Sequence, residues 1–65
     1  MKMDFDTFMS VCKDVPKQFR PGQYFFNKLA CVRKDLSDML MDQGLDPFYN
    51  DSRLPAAIEF VKENW

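Results

Sequence analysis

Leu54-Pro55-Ala56-Ala57-Ile58-Glu59-Phe60-Val61-Lys62-Glu63-Asn64-Trp65 carries the clearest structural signal in the chain. Leu54, Ala57, Ile58, Val61 and Trp65 fall at i, i+3, i+4, i+7 and i+11, the spacing that gathers side chains on one side of an α-helix. Glu59 and Glu63 then lie on the outer side. Pro55 falls in the first turn, where its missing N–H leaves no bond unmade, and Asp51 or Ser52 stands where a cap is wanted. The spacing predicts an amphipathic helix that continues to Trp65.

The same reasoning extends towards the N-terminus. Leu45-Asp46-Pro47-Phe48-Tyr49-Asn50-Asp51 cannot continue a helix, and Gly44 is a suitable stop for the one before it. That preceding segment, Leu36 to Gln43, has its periodicity in Leu36, Met39 and Leu40, with Asp35 expected as its N-cap. Pro21-Gly22 opens another helix with a wide apolar stripe of Phe25, Phe26, Leu29, Ala30 and Val32. Arg33 and Lys34 suit its negative C-terminal end, so residues 23 to 43 read better as two helices than as one bent helix. Pro16 and Pro21 bracket a linker whose apolar anchor is Phe19. Phe5, Phe8, Met9 and Cys12 repeat the helical spacing, and Asp4 and Asp6 supply the negative charge that a helix start favours, which gives a first helix from about Asp4 to Lys13. No segment alternates with the two-residue period of a strand. The expected fold is all-α: one domain, residues 1–65, a compact bundle of three to four short helices.

A chain of 65 residues buries only about 60% of its unfolded surface. Seven Phe, two Tyr and one Trp supply a large apolar area, and burying all of them in one small monomer is difficult. Some aromatic surface is therefore expected to remain for a partner or for a second copy in a homodimer. The absence of His removes histidine triads and His-containing zinc sites, and two cysteines, Cys12 and Cys31, are too few for a four-thiolate centre. Both cysteines sit among apolar neighbours and read as buried thiols rather than as a disulfide. Neither has a His to activate it, and the two glycines, Gly22 and Gly44, are isolated, so nucleophilic catalysis and a phosphate-cradling loop both lack their residues. The reading is of a protein that is not an enzyme and needs no cofactor.

Asp46, Asn50 and Asp51 resemble a calcium loop only superficially. Counted from Asp46, the positions that need an oxygen ligand, a glycine and a final glutamate hold Phe48, Asp51 and Ala57. Turn and capping chemistry accounts for the same residues, so no metal is expected. The apolar runs fall far short of the ~20 residues of a spanning helix, and the acidic start MKMDFD lacks a signal-peptide core. The expectation is a cytoplasmic protein without a membrane partner.

Charge is unevenly distributed. Lys13, Lys17, Arg20, Lys28, Arg33 and Lys34 face only Asp14 within their stretch, which gives residues 13–34 a charge of +5 and the remainder −6. A phosphate-facing surface would have this composition, and the two central helices have the order of a helix-turn-helix. The second of them, however, carries Asp38 and Asp42 and neither Lys nor Arg between Leu36 and Gln43, the wrong sign for entering a groove. Nucleic-acid binding through Lys13, Lys17, Lys28, Arg33 and Lys34 is thus the alternative, and a surface that steers a charged protein partner is preferred.

Arg20-Pro21-Gly22-Gln23, Phe26-Asn27, Leu29, Arg33, Asp35-Leu36, Asp46-Pro47-Phe48-Tyr49, Asp51, Arg53 and Glu63-Asn64-Trp65 together resemble a set of short proteins of phages, prophages and bacteria. Their shared pattern reads approximately R-x-G-Q-x-x-F-N-x-L, R-x-D-L, D-P-F-Y-x-D-x-R and N-W. The likeness covers residues 20 to 65 and departs at Lys34, where the related sequences often have Pro. It brings no activity with it. It implies a small protein of a mobile element, resident in the host cytoplasm, of the kind that binds and disables or redirects a host or defence complex, as anti-CRISPR proteins do. It also singles out Arg20, Gln23, Tyr24, Asn27, Phe48, Tyr49 and Arg53. One reading has the polar members hydrogen-bonding the 44–52 loop and holding Phe48 and Tyr49 against the helices, because buried polar groups need partners. The other makes the same set the surface that a partner touches.

Overall fold

A computed structural model describes residues 3–65, and its helices begin and end largely where the local chemistry requires. Four helices, α1 (Phe5–Lys13), α2 (Pro21–Val32), α3 (Lys34–Asp42) and α4 (Leu54–Asn64), account for the regular structure among the described residues, with a 3-10 turn at Asp51–Arg53 leading into α4. The all-α bundle is the architecture that the periodicities require. Asp4 caps α1, its Oδ1 accepting the Thr7 backbone N–H at 2.7 Å. Hydrogen bonding from the Thr7 side chain, together with this backbone bond, holds the Asp4 carboxyl below its ordinary pKa. The linker after α1 folds into a turn in which the Phe19 N–H donates to the Pro16 carbonyl, and Phe19 packs on Tyr24 with ring centroids 5.7 Å apart.

Residues 23 to 43 form two helices, and the break between them is a single residue. Arg33 adopts φ −139° and ψ 77°; its N–H closes α2 by donating to the Leu29 carbonyl, and its own carbonyl accepts from Leu36 and Ser37 at the start of α3. Asp35 does not cap α3, which begins one residue before it. Asp35 lies in the first turn and grips the Arg33 guanidinium through both oxygens, at 3.0 and 2.9 Å. The break forms without a proline at position 34, and the Arg33 side chain at it is held by Asp35 and by the Trp65 main-chain oxygen. Ser37, buried in the core, donates its hydroxyl to the Lys34 carbonyl at 2.8 Å.

α3 ends as expected at Gly44, whose φ of +71° is the left-handed conformation that glycine adopts at little steric cost. The Leu45 N–H reaches back to the Leu40 carbonyl and the Gly44 N–H to that of Met41, the paired bonds of a Schellman stop. The expected cap of α4 is corrected: neither Asp51 nor Ser52 caps it, because Arg53 stands at its N-cap without a side-chain bond, and the preceding 3-10 turn is capped by Asn50, whose Oδ1 accepts the Ser52 N–H at 3.0 Å.

Phe8, Cys12, Phe25, Leu29, Leu36, Leu40, Ala57 and Val61 form one core to which every helix contributes. Phe8 meets Phe25 edge to face at 5.5 Å. Trp65 closes the bundle over α1, with ring centroids 5.2 Å from Phe8 and 5.9 Å from Phe5. Its indole N–H donates to the Met3 carbonyl at 2.9 Å, while Arg33 donates to the main-chain oxygen of Trp65 at 2.7 Å and stacks its guanidinium over the indole. One of the two expected buried thiols is misassigned: Cys12 is buried, but Cys31 is exposed. Among the described residues no helix is long and apolar enough to cross a membrane.

Candidate functional site

The loop from Asp46 to Asn50 is built from its own side chains and then fastened to α2. Asp46 Oδ1 accepts the Phe48 N–H at 2.8 Å, an Asx turn that sets the direction of Phe48, and the Asn50 N–H donates to the buried Pro47. Two long-range bonds then tie the loop down. Arg20 donates to the Phe48 carbonyl at 2.7 Å, and the Gly22 N–H donates to Asp51 Oδ1 at 3.0 Å. The second bond fills a role at the α2 N-terminus that Arg20 leaves open, since Arg20 offers no side-chain cap. Gly22 is required by closeness: a Cβ there would collide with the Pro47 carbonyl oxygen and stand 2.7 Å from the Asp51 carboxylate.

This anchoring presents an aromatic series. Phe26, half-buried on α2, meets Phe48 at 6.1 Å; Phe48 meets Tyr49 edge to face at 4.6 Å; and Tyr49 is 82% exposed. Of the polar residues named as candidates, Arg20 bonds the loop as the packing reading requires. Gln23, Asn27 and Arg53 make no side-chain hydrogen bond to another described residue, and Asn27 and Arg53 are exposed. Phe48 is held against a helix and Tyr49 is not. Tyr24 lies apart from them, packed between Phe19 and the Lys28 ammonium, which stands 5.3 Å from its ring centre. Asp51 was legible only as a cap, and its bond to Gly22 spans 29 positions that no local pattern connects.

The basic stretch divides. Arg33 is held by Asp35 and Trp65, Lys34 pairs with Asp38 at 3.4 Å, and Arg20 is committed to the Phe48 carbonyl. Lys13, Lys17 and Lys28 make no ion pair with a described carboxylate. Burial pushes the Cys12 thiol up to about 11, partly opposed by the positive charge of Lys28. Among the described residues no group of three or more His, Cys, Asp or Glu is arranged to hold a metal ion.

Fold and surface together define a small all-α domain that displays a fixed, exposed aromatic loop. No protein-family model matches the chain, and neither a curated protein nor a solved structure shows significant similarity to it.

Proposed function

We propose that this domain works by binding another protein, without catalysis, and that the bound protein belongs to a host or defence complex that it inhibits. The observation that carries the reading is Tyr49, a residue 82% exposed beside a backbone tied down through Phe48 and Asp51. A large aromatic in a fixed position loses little conformational freedom on binding, which is why Tyr and Trp dominate the energetics of protein interfaces. Exposed Asn27 and Arg53 supply hydrogen-bond donors from the same patterned set. The likeness of residues 20–65 to short phage and prophage proteins supports the choice of a host or defence protein as target.

The test is affinity capture from host lysate with the wild type and Tyr49→Ala side by side, followed by affinity measurement on the purified partner. Truncation of Tyr49 is expected to lower affinity by ~2 kcal/mol or more, while folding is unchanged. Salt-sensitive micromolar binding to DNA, abolished by charge reversal at Lys13, Lys17 and Lys28 and accompanied by no protein partner, would replace this reading with nucleic-acid binding.

A further inference from the structure

A second feature is a groove between α1, α2 and α4. Met9 and Cys12 of α1, Phe25 of α2, and Leu54 and Ile58 of α4 line an apolar groove of about 90 Å³. An enclosed apolar cavity of about 150 Å³ holds a benzene molecule, so this open groove admits one apolar side chain and not a longer ligand. Lys13 and Pro21 complete the lining. Lys13, at the end of α1, is the cation on the groove's own lining, and it is exposed. Lys28 approaches from α2, near enough to Cys12 for its charge to act on the thiol. Against this cationic margin residues 13–34 offer one carboxylate, Asp14.

We infer that this groove is a docking site for an acidic segment of a partner protein that inserts one apolar side chain between α1, α2 and α4 and sets its carboxylates against Lys13 and Lys28. The choice of occupant rests on charge complementarity. Lys13 and Lys28 have no ion-pair partner among the described residues, so an approaching carboxylate meets cations that are not already neutralised. A second copy would bring this basic margin to face itself, if joined by a two-fold axis, and like charges would oppose the contact. A nucleic-acid strand would satisfy the cations but leave the apolar floor uncovered. The inference rests on the protein-binding reading above and specifies a partner chemistry for it.

The experiment is selection of short random peptides, displayed on phage, against the folded full chain. The expected survivors carry one Leu, Ile, Met or Phe flanked by two or more Asp or Glu. Their binding is expected to shift the amide resonances of Met9, Cys12, Phe25 and Ile58, to weaken as salt rises, and to fall about tenfold or more in Lys13→Glu. Ile58→Trp, which fills the groove, should abolish it; Lys13→Glu changes an exposed side chain and keeps the test independent of any folding defect in the Trp variant. Survivors that are basic or uncharged, an empty selection, or unchanged affinity in Lys13→Glu would overturn the inference. So would a concentration-dependent doubling of mass that Ile58→Trp removes, which would give the groove to a second copy. Partner capture lost in Tyr49→Ala but intact in Lys13→Glu would remove this inference and leave the broader reading standing.

Discussion

Gly22 shows how one atom can decide the docking of a loop. In an exposed helical position, replacing Gly by Ala stabilises by roughly 0.5–1 kcal/mol through backbone entropy. Here the added Cβ would meet the Pro47 carbonyl, a backbone atom that cannot swing aside, so the sign reverses. Gly22→Ala is expected to destabilise by about 1–3 kcal/mol in urea unfolding, as overpacking does; a variant as stable as the wild type would place the loop elsewhere. The cysteines test a second residue-scale assignment. One equivalent of alkylating reagent should label the native protein at Cys31, with Cys12 reacting only on unfolding. With its folded pKa raised from 9.0 to about 11, Cys12 contributes stability below pH 9 that is lost as pH rises from there towards 11, because the unfolded thiol ionises first. The loss should be smaller in Cys12→Ala, measured over the same pH range. Sequence placed Cys12 correctly, on the stripe with Phe8. It misjudged Cys31 because apolar neighbours along the chain are not neighbours round a helix: two positions after Leu29 is about 200° away from the core.

The elements were legible where a local rule governs them. The Gly44 stop, the Pro21 start and the acidic start of α1 all follow from chemistry within one turn, although Asp4 serves as the cap itself and not only as a helix-terminal charge, and the α4 stripe needs only its own spacing. What escaped was the way elements meet. Asp51, Asp35 and Asn50 are all good capping residues, and composition alone cannot show that Asn50 takes the cap, Asp35 binds Arg33 and Asp51 crosses to Gly22. The candidate surface was half visible for the same reason: the residues could be named, but whether Tyr49 is packed or exposed depends on contacts between distant segments. The two ties from α2 to the loop can be separated by mutation. Arg20→Ala and Asp51→Ala should each lower stability by about 0.5–1.5 kcal/mol and speed amide exchange at Phe48 to Asn50, with α3 and α4 unchanged. Tyr49→Ala should alter stability by no more than about 0.5 kcal/mol, since its ring is largely in water. Loss of the fold on truncating Tyr49 would show that it serves packing and not a partner.

At the scale of the whole molecule, α1 is the element with least to hold it, and Trp65 is what fastens it. The described structure spans 28 × 25 × 17 Å, so one large ring covers a sizeable part of a layer. Trp65 packs on Phe5 and Phe8, bonds the Met3 carbonyl, and is itself gripped by Arg33 at the junction of α2 and α3. Arg33 thus joins the break between two helices to the residue that closes the other two. Trp65→Ala should cost roughly 3 kcal/mol, as large aromatic truncations do, and should expose the α1 amides to exchange before those of α3. Arg33→Lys keeps the charge but loses the planar fork that reaches Asp35 and the Trp65 oxygen together, so it should destabilise while leaving net charge unaltered. The same junction responds to acid. Arg33 holds the Asp35 carboxyl below its ordinary value of 3.8, so its stabilising contribution is complete above that range and is lost as pH falls through the lowered value; in Arg33→Lys this part of the acid transition should shrink. Native indole fluorescence should be blue-shifted and move to the red on unfolding. A water-exposed indole in the folded protein, or an Ala variant that melts like the wild type, would detach Trp65 from α1 and leave the closing role to the Phe8–Phe25 contact alone.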